Sequence, residues 1–133
     1  MTDKFLTEFS FTPAQVRKNL QNALRDLAIA EKDEILDVKF AYAYTALLKA
    51  GIALLSSRNK KVRSVPGHHV KIIEYLAGAL QDTAIEDLGN AMRQKRNIDL
   101  YAGGTDITAK ECAEYLEFVV SVVGKVHSIV GGT

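Results

Sequence analysis

Residues 33–56 read DEILDVKFAYAYTALLKAGIALLS, and this stretch decides the fold. Its apolar side chains recur at the spacing of one helix face, and no proline interrupts them. They are Leu36, Phe40, Ala43, Leu47, Ala50 and Leu54. Several of the remaining residues are alanine or glycine, so neighbouring helices can approach this segment closely. We therefore predict a helix from Asp33 to Ser56 that lies at the centre of a helical domain.

Three further helices are each predicted to begin at the same capping motif, a threonine followed three residues later by Glu or Gln. The hydroxyl accepts a hydrogen bond from an amide of the first turn, and the longer side chain bonds back to the threonine. The pairs are Thr12 with Gln15, Thr83 with Glu86, and Thr108 with Glu111. These starts predict helices over residues 13–30, 83–101 and 108–129.

A fifth, shorter helix completes the predicted architecture. It begins after Pro66-Gly67 and runs to about Leu80. No segment alternates convincingly between polar and apolar residues, so we predict no strand. The polar connection from Ser57 to Gly67 is the one segment predicted to be a mobile loop. The chain is thus predicted to form a single all-α domain over residues 1–133, a mostly up-down four-helix bundle with one additional short helix.

Composition limits the classes of protein to which the chain can belong. The 133 residues include 17 basic and 16 acidic side chains, so no overall charge attracts nucleic acid or a membrane. Cys112 is the only cysteine and cannot form an intramolecular disulfide. The N-terminal stretch MTDKFLTEFSF lacks the apolar core of a signal peptide, and Lys49 interrupts the apolar run Phe40–Leu55, which is too short to span a bilayer. We expect a cytoplasmic protein without a membrane partner.

An arginine interrupts the apolar stripe of the fourth predicted helix. Counting about 100° per residue from Ile85, Met92 falls at about 340° and Arg96 at about 20°, where a leucine would be expected. A lone buried guanidinium is very costly, so Arg96 must be paired or must line a cleft or an interface. One interpretation is a buried ion pair with an acidic residue of a neighbouring helix, for which Asp37 and Glu74 are candidates.

The other interpretation of Arg96 is an anion site. An arginine fork can hold two oxygens of a phosphate or carboxylate. Asn97 adds a donor and an acceptor, Arg93 lies one turn earlier, and Lys95 points to another face. Tyr101, near the predicted helix end, can donate a hydrogen bond or stack on a base. These five residues are the first group of candidate site residues.

Basic residues also crowd the loop before the short helix. They are Arg58, Lys60, Lys61 and Arg63, followed by His68 and His69. This cluster is either a solvated turn or a phosphate-facing loop beside Arg96, because the helix N-terminus that follows favours anions. In the second case Arg63, His68 and His69 bind the anion, and one histidine can act as a general base. Adjacent helical side chains diverge, so we predict no metal site, and we expect no cofactor.

These segments resemble the HEPN domains. The resemblance rests on Arg96-Asn97 at the end of the third long helix, on the alanine-rich residues 41–55 and on residues 62–69, and it spans nearly the whole chain. It implies a dimeric helical bundle. Many HEPN proteins are metal-independent RNA-cleaving toxins or immunity factors, and others are non-catalytic partners of nucleotidyltransferases. Their ribonuclease motif is an arginine, a polar residue and, a few positions later, a histidine.

Here Arg96 and Asn97 match the motif, but Tyr101 stands where the histidine belongs. Tyrosine, with an ordinary pKa near ~10, is a poor general base at neutral pH. We therefore expect a non-catalytic module, in a defence, toxin–antitoxin or nucleotidyltransferase-associated system of the bacterial type. It would be a homodimer that holds RNA, a nucleotide or a protein partner such as a nucleotidyltransferase around Arg96. One alternative is a metal-independent endoribonuclease using Arg96, Asn97 and Tyr101, or a histidine from elsewhere. The other is a structural bundle with Arg96 in a buried ion pair.

Overall fold

A computed structural model describes residues 4–101, 103 and 107–131, with the backbone alone described at residues 99–101. The helices are α1 (Pro13–Lys32), α2 (Leu36–Ser57), α3 (His68–Ala79), α4 (Thr83–Tyr101) and α5 (Ala109–Val130). The strands are β1 (Leu6–Glu8) and β2 (Lys60–Val62). The predicted all-α bundle with an additional short helix is confirmed.

Threonine caps begin α1 and α5 as predicted. Thr12 Oγ1 accepts from the Gln15 amide at 3.1 Å, and Gln15 Oε1 accepts from the Thr12 amide at 2.9 Å. The same reciprocal bonds join Thr108 and Glu111, at 3.0 and 3.3 Å. Each pair satisfies amides that the first helical turn leaves without a partner.

The predicted cap of α4 is wrong by one residue. Thr83 is itself the first helical residue, and the carboxylate of Asp82 accepts from the Ala84 amide at 3.0 Å. Aspartate is a good capping residue, and its charge also complements the positive end of the helix dipole. Asp82, rather than Thr83, is therefore the residue whose side chain caps α4.

Asp33 and Lys39 fix the turn between α1 and α2. Asp33 Oδ1 accepts from the Ile35 amide at 2.9 Å, so Asp33 lies in the turn and α2 begins at Leu36, later than predicted. Lys39 Nζ donates to the Ala30 carbonyl at 2.8 Å. This bond satisfies a carbonyl in the last turn of α1, where a cation also matches the helix dipole.

α2 is the central helix, in agreement with the prediction, and contacts the four other helices as well as β2. Its buried residues are Phe40, Ala43, Tyr44, Ala46, Leu47, Leu48, Ala50, Gly51, Ala53, Leu54, Leu55 and Ser56. A Cβ atom at Gly51 would overlap Ile72 and press on Leu76. The absence of a side chain at Gly51 therefore sets how closely α3 approaches α2.

The length and apolarity of α2 also fit a membrane span, since the helix is longer than the apolar run considered above. In its most apolar window, 61% of the residues are buried inside the bundle. The core of a bundle requires the same composition, so contacts with the other helices account for it.

An ion pair joins α1 to α2 in the interior. The Asp26 side chain is 1% exposed, and its Oδ2 lies 2.7 Å from Lys49 Nζ. Its Oδ1 accepts from the exposed Arg25 at 3.0 Å. A buried carboxylate is tolerated only with such partners, so this contact restricts how α1 can slide along α2.

The described residues form two short strands, and the second, β2, occupies part of the connection predicted to be a loop. β1 pairs antiparallel with β2, with Leu6 opposite Val62 and Glu8 opposite Lys60. Lys60 Nζ also lies 2.9 Å from Glu8 Oε1. The prediction of no strand is wrong here, because strands this short cannot show a convincing alternation. The pair ties the N-terminal segment to the connection before α3.

We predict that Gly51→Ala destabilises the domain by about 1–3 kcal/mol, because the new methyl group overlaps Ile72. Gly124→Ala is the matched control. The space around its Cβ position on α5 is open, so better helix propensity should stabilise the domain by about 0.5–1 kcal/mol. Urea unfolding followed by circular dichroism measures both changes. Equal effects of the two substitutions would contradict the close α2–α3 contact.

Lys49→Met is expected to lower the free energy of unfolding by about 3 kcal/mol, because it removes a partner from the buried Asp26 carboxylate. The same substitution at Lys125 is the control. Its pair with Asp82 spans 3.7 Å between half-exposed side chains, and its loss should cost less than about 1 kcal/mol. Chemical denaturation compares them, and a Lys49→Met protein as stable as wild type would contradict the role of the pair.

Candidate anion-binding site

The loop before α3 fixes the first turn of that helix. Gly67 has a φ of 88°, a left-handed conformation that favours glycine, and the Phe5 ring packs against it. Nδ1 of His68 lies 2.8 Å from the Val65 carbonyl. A carbonyl oxygen can only accept, so Nδ1 of His68 carries a proton. In the neutral ring, its Nε2 is then unprotonated.

α4 runs antiparallel to α3 and brings basic side chains to this turn. A Cβ atom at Gly89 would lie 2.7 Å from Ile73 Cγ2, and one turn later the charge of Arg93 acts on His69. A cleft of about 360 Å³ opens where α4 faces the loop. Its lining residues are Ser64, Val65, Pro66, Gly67, His68, His69, Val70, Arg93 and Asn97.

Tyr44 of α2 lies behind His69. It is 3% exposed, and its hydroxyl is 3.1 Å from Nδ1 of His69. Burial raises the pKa of Tyr44 to about 12, although the charges of Arg93 and Arg96 act to lower it. The phenol therefore keeps its proton at neutral pH and can donate it to Nδ1 of His69.

The two histidines hold their protons on different nitrogens. Burial lowers the pKa of His69, and the neighbouring His68 and Arg93 lower it further, so the His69 ring is neutral at pH 7. Because Nδ1 accepts from Tyr44, the His69 proton lies on Nε2. The rings stand edge to face, 4.4 Å between centroids. The neutral His69 ring thus offers an N–H donor, while the Nδ1–H of His68 is used by the Val65 carbonyl.

The lining of the cleft favours an anion. Within the part of the chain that the structure describes, none of the lining residues is Asp or Glu. Arg93 Nε donates to Asn90 Oδ1 at 3.3 Å, which uses one of the five guanidinium N–H groups and restrains the side chain. Arg93, the Asn97 amide and the His69 N–H are all groups that bind phosphate or carboxylate oxygens. Across the described residues, no three His, Cys, Asp or Glu side chains group as metal ligands would.

The sequence placed Arg96 in the apolar stripe, but the side chain is only partly buried, whereas Ile85 and Met92 are fully buried. Arg96 is therefore less buried than the apolar residues of its stripe, and the expectation that it is paired or lines a cleft or an interface stays a prediction. Its charge nevertheless acts on Tyr44, as that of Arg93 does.

Neither acidic residue suggested as a partner of Arg96 is buried beside it. Glu74 is exposed and lies 3.6 Å from Lys71, and Asp37 is exposed in the first turn of α2. A buried carboxylate is described in the pair of Asp26 with Lys49. The hypothesis of a buried pair at Arg96 stays a prediction.

Two other predicted residues lie outside the cleft lining. Lys95 Nζ is 3.2 Å from Glu111 of α5, so Lys95 faces another helix. Arg63 is exposed and precedes Ser64, the first lining residue in the sequence. Its amide donates to the Phe5 carbonyl at 2.7 Å. The Tyr101 side chain lies outside the described residues. The structure therefore brings together Arg93, Asn97, His68 and His69.

Most of the basic cluster before α3 contacts other side chains. Arg58 donates to the Tyr75 hydroxyl at 3.3 Å, and Lys61 Nζ lies 5.0 Å from the Phe9 ring centroid. Lys60 belongs to the strand pair. Residues 58–62 therefore follow the end of α2, and residues 60–62 form β2 rather than a solvated turn. Of the cluster, only His68 and His69 line the cleft.

Tyr44 is the site residue that sequence reasoning missed. It falls on the buried face of α2, one turn after Phe40 and one turn before Leu47. A phenol on such a face needs a hydrogen-bond partner, which is the signal that could have identified it. The partner could not be inferred, because it depends on how α3 packs against α2.

Stability should fall on acidification through His69. Because folding lowers its pKa below the ordinary 6.5, the unfolded chain binds more protons. The His69 contribution is therefore present above pH 6.5 and is lost as the pH falls below it. His69→Asn, whose amide can still meet Tyr44, should reduce the fall in unfolding free energy between about pH 7.5 and 5.5.

His127→Asn, at an exposed site on α5, is the control and should keep the wild-type pH dependence. Urea titrations at both pH values measure the effect. Parallel pH profiles for wild type and His69→Asn would contradict the assignment.

Comparison of the chain with protein-family models, with curated proteins and with solved structures gives no match. The resemblance to HEPN domains therefore stays a prediction from the residues quoted above.

Proposed function

We propose that the protein is a non-catalytic, HEPN-like module that binds a phosphate of RNA or a nucleotide in the cleft between α3 and α4. The observation that carries this proposal is the convergence of Arg93, Asn97 and two histidines on one cleft. These side chains come from two helices, and no carboxylate is found among the described lining residues. An oxyanion there gains charge-assisted hydrogen bonds without meeting a negative side chain.

The protonation of the site supports binding over catalysis. His69, the histidine affected by the Arg93 charge, is neutral and carries its proton on Nε2, so it donates and cannot accept a proton there. Tyr44 has a pKa of about 12 and is a poor base at neutral pH. His69 is therefore suited to holding a ligand oxygen atom, and neither group is suited to deprotonating one.

The proposal also includes the biological setting that the HEPN resemblance implies. In that setting the protein is a cytoplasmic homodimer in a toxin–antitoxin, defence or nucleotidyltransferase-associated system. A nucleotidyltransferase is then a protein partner.

A second candidate function, a metal-independent endoribonuclease, is favoured by one observation. The His68 Nδ1–H bond to the Val65 carbonyl makes Nε2 the nitrogen that can accept a proton when the ring is neutral. His68 could take the proton of a ribose 2′-hydroxyl while that oxygen attacks the adjacent phosphorus. The imidazolium form of His69 would protonate the departing 5′-oxygen from Nε2 and return to a neutral ring with its proton on Nδ1, giving a 2′,3′-cyclic phosphate. The base in this version is His68, and Tyr101 is not required.

Arg93→Ala is expected to weaken RNA binding about tenfold or more, because it removes charged hydrogen bonds to phosphate. Binding is measured by fluorescence anisotropy at low salt. The probe is a rhodamine-labelled 2′-O-methyl oligouridylate, which has no free 2′-hydroxyl to attack the adjacent phosphate. Lys95→Ala is the matched control, because Lys95 lies on the same helix but pairs with Glu111. Wild-type affinity in Arg93→Ala, or an equal loss in both variants, would refute the cleft as the site. The wild-type affinity should also fall with added salt.

Incubation with unmodified RNA separates the two candidate functions. The binding module should leave the RNA intact. Products ending in cyclic phosphate that disappear with His68→Asn would establish the nuclease instead, because asparagine can keep the bond to Val65 but has no nitrogen at the Nε2 position. Products that persist in His68→Asn would indicate a contaminating nuclease.

A further inference from the structure

The hydrogen bond between Tyr44 and His69 must reverse its direction when His69 is protonated. In the neutral ring, Nδ1 accepts from the hydroxyl across 3.1 Å. In the imidazolium ring both nitrogens donate, so the Tyr44 oxygen has to accept. The contact itself can persist in both states. The buried pair therefore does not prevent protonation, but protonation deprives the phenol of its acceptor.

The charges around His69 oppose that protonation in the unliganded protein. On α3 the His68 ring is 4.4 Å away, and from α4 the charge of Arg93 acts on His69 directly. From α2 the facing group is Tyr44, which in turn feels Arg93 and Arg96. In the described structure, the loop residues that line the cleft carry no titratable side chain, and the lining lacks a carboxylate.

A bound oxyanion changes this balance. Beside Arg93, its negative charge offsets the guanidinium that disfavours a charged His69. It can also accept from the Nε2–H of His69, and that hydrogen bond is stronger when the ring is positive. The imidazolium state is therefore favoured more when the cleft is filled than when it is empty.

We propose that the cleft takes up its phosphate ligand together with a proton on His69, so that affinity for a ligand of fixed charge increases as the pH falls. This inference rests on the proposed function and adds regulation of the same site. Linkage makes the effect reciprocal, since the ligand promotes protonation by the same factor that protonation promotes binding. For one proton, the dissociation constant can change by at most about tenfold per pH unit.

The test uses the rhodamine-labelled 2′-O-methyl oligouridylate at constant ionic strength. Its phosphodiesters and uracil bases keep their charge between about pH 6 and 8, where histidine titrates. The dissociation constant of wild type should fall about three- to tenfold or more from pH 8 to pH 6. His69→Asn should show little change, because its amide can meet Tyr44 but takes no proton. His127→Asn should keep the wild-type change.

Each outcome bears on a distinct claim. Binding with a flat pH dependence in wild type would overturn the proton linkage and leave the proposed function standing. No binding at either pH would overturn the proposed function as well. A pH dependence that survives His69→Asn but disappears in His68→Asn would overturn the assignment to His69.

Proton NMR of wild type provides a second measurement, independent of whether the variants fold. The chain has three histidines, so ring signals can be assigned with the single variants. The pKa of His69 should be higher with saturating oligouridylate than without it. An unchanged His69 pKa in the saturated protein would overturn the proposal.

Discussion

The close approach of α3 to α2 at Gly51 is the constraint on which the candidate site depends. A side chain at this position would meet Ile72, so only glycine permits the observed spacing. That spacing lets His69, at the start of α3, reach the buried hydroxyl of Tyr44. A wider gap would leave the phenol without this acceptor and would move one wall of the cleft away from Arg93. A packing requirement in the core thus controls the chemistry at the surface.

The helices could be predicted in detail because their signals are local. The capping pairs Thr12–Gln15 and Thr108–Glu111 are formed as expected, since each depends on residues within one turn. Asp82 replaced Thr83 as a cap because two adjacent residues could each serve. The strands were not predicted, because β1 pairs with residues far away in the sequence and no local pattern indicates such a pairing.

The site was less predictable, because it depends on how the helices pack against one another. Arg93, Asn97, His68 and His69 were identified as polar groups able to bind anions, but their convergence follows from the antiparallel packing of α3 and α4. Lys95 has the same chemistry as a binding residue and differs only in facing α5. Helical angles placed Arg96 on the apolar face of α4, where it is half-buried and its charge acts on the buried Tyr44.

The strand pair gives the N-terminal segment a role beyond closing the fold. β1 holds β2 in place, and Phe5, next to β1, packs against Gly67, a residue of the cleft wall. The shape of the cleft is therefore mechanically connected to residues more than sixty positions earlier in the chain. A peptide tag, a truncation or a partner protein that pulls on this segment would act on the cleft without touching any residue that lines it.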